Sequence, residues 1–65
     1  MLQVKNVRIT EPSLVTNLRY MIDVRLVDKQ KDLDKSISVA ADDLAHGIKH
    51  VITAVTDFAV YNAKP

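Results

Sequence analysis

His46 and His50 stand four residues apart, with Asp43 three residues before the first of them. On a helix this spacing gathers all three within about 60° of arc. Two imidazoles and a carboxylate so arranged could chelate a divalent ion and leave one position open, as catalytic zinc sites do. The metalloprotease form of this pattern needs a glutamate directly after the first histidine, and Gly47 stands there instead. The general base is missing. The trio therefore reads as a solvated helix face, and neither a metal nor another cofactor is expected.

Other catalytic chemistry is equally poorly provided for. With no cysteine, thiolate nucleophiles and thiolate metal sites are excluded, and a single glycine rules out glycine-rich phosphate loops. Ser13, Ser36 and Ser38 lie in no nucleophile-elbow pattern. Glu11, Asp23, Asp28, Asp32 and Asp34 fall at expected turns or beside basic residues, where solubility explains them better than a tuned acid/base pair. Enzymatic activity is not expected.

Binding residues are better represented. Arg19 and Arg25 share odd parity with Asn17, Met21 and Val15. On one strand this set would share a face, and Met and Arg are enriched at protein interfaces. Basic and polar residues on an open sheet could also contact phosphates and base edges. Against that second use, the formal net charge is only +1 and the aromatic content of 5% offers no stacking platform for single strands.

The elements that must position these residues follow from periodicity. Leu14, Leu18, Tyr20, Ile22, Val24 and Leu26 share even parity, which predicts a long central strand over 14–26. Residues 2–10 read as a strand ended by Glu11-Pro12-Ser13, and residues 36–40 as a third. The mixed-charge run 28–35 reads as a hairpin connection. In the first strand Val7 and Ile9 have parity opposite to Leu2 and Val4. A bulge at Lys5 or Asn6 would return them to the core, whereas a regular strand would leave Val7, Ile9 and Val15 as an exposed apolar patch.

From Asp42 to Asn62 the period becomes helical, with Leu44, Ile48, Val51, Ile52, Val55, Phe58 and Ala59 within about 120° of arc. Asp42 and Asp43 are placed to cap the first turn, while Asn62 and Pro65 mark its end. Gly47 costs roughly 1 kcal/mol inside a helix, so a close backbone approach is expected there.

These elements predict a single α+β domain over residues 1–65, in a two-layer βββα arrangement. A three-stranded antiparallel meander would carry one amphipathic helix on one face, with Leu18, Ile22, Val24, Leu26, Ile37 and Val39 in the core. No signal segment or membrane span is visible, so a cytoplasmic location is the expectation. Without disulfides, so small a domain is expected to gain stability by self-association. The expected function is a protein-interaction module that forms homo-oligomers or engages a larger protein through the open sheet face or an edge strand. Asn17, Arg19, Met21, Arg25 and Val15 are its candidate contact residues. A small nucleic-acid binder using the same mildly basic face is the alternative.

Overall fold

The computed structural model describes residues 1–63. Three strands, β1 (Gln3–Thr10), β2 (Tyr20–Asp28) and β3 (Leu33–Ala41), form an antiparallel sheet in the order β1-β2-β3. One helix, α1 (Leu44–Ala63), follows. This is the expected α+β βββα meander with its single C-terminal helix. Pro65, expected with Asn62 to mark the end of the helix, lies outside the described residues.

The central strand starts later than its alternating pattern suggests. Residues 14–19 turn instead, with Asn17 at φ 58° and Leu18 at φ 62°, both in the left-handed region. Local hydrogen bonds explain the difference. The Ser13 amide donates to Thr16 Oγ1 at 2.9 Å, Thr16 Oγ1 donates back to the Ser13 carbonyl, and the Leu18 amide closes on that carbonyl at 2.7 Å. Ser and Thr side chains thus offer the backbone partners that a strand ladder would otherwise supply. Leu18, expected in the core, is 67% exposed.

The bulge in β1 lies where parity required it. Val4 pairs with Leu26, the register slips at Lys5, and then Asn6 pairs with Arg25, Val7 with Val24 and Ile9 with Ile22. Val4, Val7 and Ile9 therefore share the helix-facing side of the sheet with the buried residues of β2.

That core is small. Ile22, Val24, Leu26 and Ala41 are its buried apolar residues, and Leu2, Ile37, Leu44, Val51, Val55 and Phe58 pack around its main cluster. Asp43 caps α1, its Oδ1 accepting the His46 amide at 2.8 Å. Gly47 brings the helix down onto the sheet: a Cβ there would lie 2.8 Å from Cδ1 of Ile22 and 3.3 Å from Cβ of Ala41.

α1 packs on β2 and β3 and does not reach β1. A helix is about 10 Å across and strands lie about 4.8 Å apart, so one helix covers two strands and leaves the third bare. The bulge restores the parity of Val7 and Ile9, yet they remain 53% and 48% exposed. No described helix is long and apolar enough to cross a membrane.

Candidate interaction surface

The bare strand and the flank of the helix enclose an apolar trough of about 300 Å³. Its floor is Val4, Val7 and Ile9 of β1 with Ile22 and Val24 of β2, and its wall rises through Ile48, Ile52 and Val55 to Thr56. No ionisable side chain lines it. Ile48 and Ile52 belong to the apolar arc read from the sequence, but they lie on the side of α1 that faces over β1 and remain exposed.

The opposite face of the sheet is polar and internally paired. Arg25 Nε and Nη2 donate to the two carboxylate oxygens of Asp34 at 2.9 and 2.5 Å, a bidentate pair. The hydrogen bond from Arg25 holds the Asp34 carboxyl below the usual carboxylate range, and the same bond raises the Arg25 guanidinium. Arg8 Nη2 reaches Asp23 at 3.4 Å, and Ser38 Oγ donates to the other Asp23 oxygen at 2.5 Å. Arg19 Nε donates to Asp42 Oδ1 at 3.1 Å, tying the start of β2 to the segment before α1.

The contact residues expected from the sequence are thus separated. Met21 and Arg25 lie on β2, Arg19 stands just before it, and Val15 and Asn17 belong to the turn that precedes it. Val15, at 96% exposure, projects with Leu14, at 89%, from this β1–β2 loop. The sequence reading did not single out the trough. The odd parity of Val7 and Ile9 was the signal available for it, together with the two-strand width that a single helix can cover.

Asp28 ends β2 with only 5% of its surface exposed. Burial pushes its carboxyl up, but hydrogen bonds from the N-terminal ammonium at 3.3 Å and from the Lys31 and Gln30 amides outweigh this and leave it lowered. Its role is to close the β2–β3 turn, where Asp32 adopts φ 51°.

His46 Nδ1 lies 2.6 Å from Asp43 Oδ2. The bond from the His46 amide, followed by that from its ring, lowers the Asp43 carboxyl. Among the described residues, no cluster of three or more His, Cys, Asp or Glu side chains could hold a metal ion. Comparison with family models, with curated proteins and with solved structures finds no match to this chain.

Proposed function

We propose that this chain is a non-enzymatic protein-interaction module that works as a self-associated unit, with the trough between β1 and α1 as its contact surface. The trough is the observation that carries the reading: an apolar groove walled by a helix and floored by an uncovered strand. Its location moves the contact from the outer sheet face to the helix side. Surface area supports a second copy as the occupant. The chain exposes 5043 Å², against roughly 4,200 Å² for a compact 7.3 kDa monomer. The excess is on the order of the 800 Å² that each partner contributes to a standard interface. The radius of gyration of 13.0 Å likewise exceeds the roughly 11 Å of a compact chain this long.

The paired arginines favour protein over nucleic acid. Arg8, Arg19 and Arg25 each lie against an aspartate, so phosphates would have to displace carboxylates already in place.

Light scattering coupled to size exclusion, run over a concentration series, tests the reading. The wild-type mass should rise to twice 7.3 kDa, Ile52→Lys should return it to the single-chain value, and Arg25→Ala on the outer face should leave it unchanged. A single-chain mass at the highest soluble concentration would refute self-association. Dissociation by Arg25→Ala and not by Ile52→Lys would return the contact to the outer sheet face.

A further inference from the structure

We infer that the element filling the trough is the β1–β2 loop of a second copy, with Leu14 and Val15 as the inserted side chains. The inference rests on the self-association reading and names the occupant of the same site.

Three observations converge on it. First, Leu14 and Val15 are 89% and 96% exposed, the largest exposures among the exposed large hydrophobic side chains. They are held there by the Ser13–Thr16 bonds and by the Leu18 amide on the Ser13 carbonyl. An ordered loop presenting aliphatic tips has already lost much of the conformational entropy that docking would otherwise remove. Second, the chemistry matches: residues 12–18, Pro-Ser-Leu-Val-Thr-Asn-Leu, carry no charge, and neither does the trough lining. A 150 Å³ apolar cavity accommodates benzene, so a trough of about 300 Å³ has room for both side chains. Third, the loop does not occupy its own trough, as its exposure shows. Arg19 bonded to Asp42 anchors its base level with the start of α1.

A projecting knob and a separate groove on one chain close into a pair when the exchange is reciprocal about a two-fold axis, each loop entering the other copy's trough in one isologous interface. Two loop-in-trough contacts then hold the pair, each using one copy's loop and the other's groove. This predicts complementation. A loop variant, Leu14→Ser with Val15→Asp, and a trough variant, Ile52→Lys, should each be single chains with unchanged circular dichroism, because all three side chains are exposed. Mixed in equal amounts they should associate, since one intact loop still meets one intact trough, with affinity about tenfold or more weaker than wild type. The chain has no cysteine, so mixing Val15→Cys with Ile52→Cys and oxidising with added oxidised glutathione, which is reduced as the two thiols join, should also give a disulfide-linked pair joining one of each.

A loop variant that still associates as wild type does would overturn the loop as occupant and leave self-association standing. Recovery of neither association nor the mixed disulfide, with wild type dimeric, would do the same. A wild-type chain that never exceeds its single-chain mass would remove both readings.

Discussion

Alanine at Gly47 should weaken the fold, although alanine is the better helix former. A Cβ at this position would stand 2.8 Å from Cδ1 of Ile22 and 3.3 Å from Cβ of Ala41. Ile22 is only 2% exposed, so its Cδ1 has to turn among packed neighbours to make way, and overpacking of this kind costs about 1–3 kcal/mol. Removing glycine from a helix interior returns about 1 kcal/mol. Gly47→Ala should therefore destabilise by about 0–2 kcal/mol. Ile22→Val deletes the offending methyl and costs about 0.5–1.5 kcal/mol alone. In the double variant the clash with Cδ1 is gone and the helix gain remains, so it should lie within about 0.5 kcal/mol of wild type. The coupling between the two positions should thus be about 1–3 kcal/mol, with the pair better than the sum of its parts. Urea unfolding of the four chains, followed by circular dichroism, measures each value. If Gly47→Ala alone stabilises by about 1 kcal/mol, α1 does not ride this close to β2 and β3. The position of the trough, which depends on where the helix sits, would fall with it.

Two other outcomes follow from the core and its carboxylates. Leu26→Ala, at a side chain 1% exposed, should cost about 2–5 kcal/mol, much of the roughly 3–10 kcal/mol expected for a chain this long. A loss under about 1 kcal/mol in the same urea assay would contradict the core described above. Asp28, Asp34 and Asp43 all hold their protons less tightly in the fold than in the unfolded chain. Their contribution is therefore present above the unfolded value of about pH 4 and is lost as pH falls through their lower folded values. The melting temperature should fall between pH 5 and pH 2, and an unchanged value across that window would refute the pairing.

Much of this fold is legible in the residues, and the exceptions share a cause. Alternation in Tyr20 to Leu26, the helical arc from Leu44 to Phe58 and the parity break at Lys5 each report on a backbone whose hydrogen bonds come from regular structure. Parity misleads at Leu14 and Leu18, because the Ser13 and Thr16 side chains supply bonds that compete with a ladder. The pattern of apolar and polar residues carries no record of that competition. Asp28 was legible as a turn residue but not as a buried one, since its burial depends on amides that converge only once the β2–β3 turn has formed.

The candidate site was hidden for a different reason. The bulge at Lys5, one of the two readings that parity left open, puts Val7 and Ile9 on the inner face of the sheet, and the helical arc puts Ile48 and Ile52 on the inner side of α1. What periodicity does not count is width. Three strands span more than one helix can cover, and the close seat at Gly47 commits α1 to β2 and β3. The inner faces of β1 and of the helix flank are then apolar by pattern and open by geometry. The reading proposed above covers them with a second copy, and the most exposed aliphatic pair outside the trough, Leu14 and Val15, is carried by every copy of the chain.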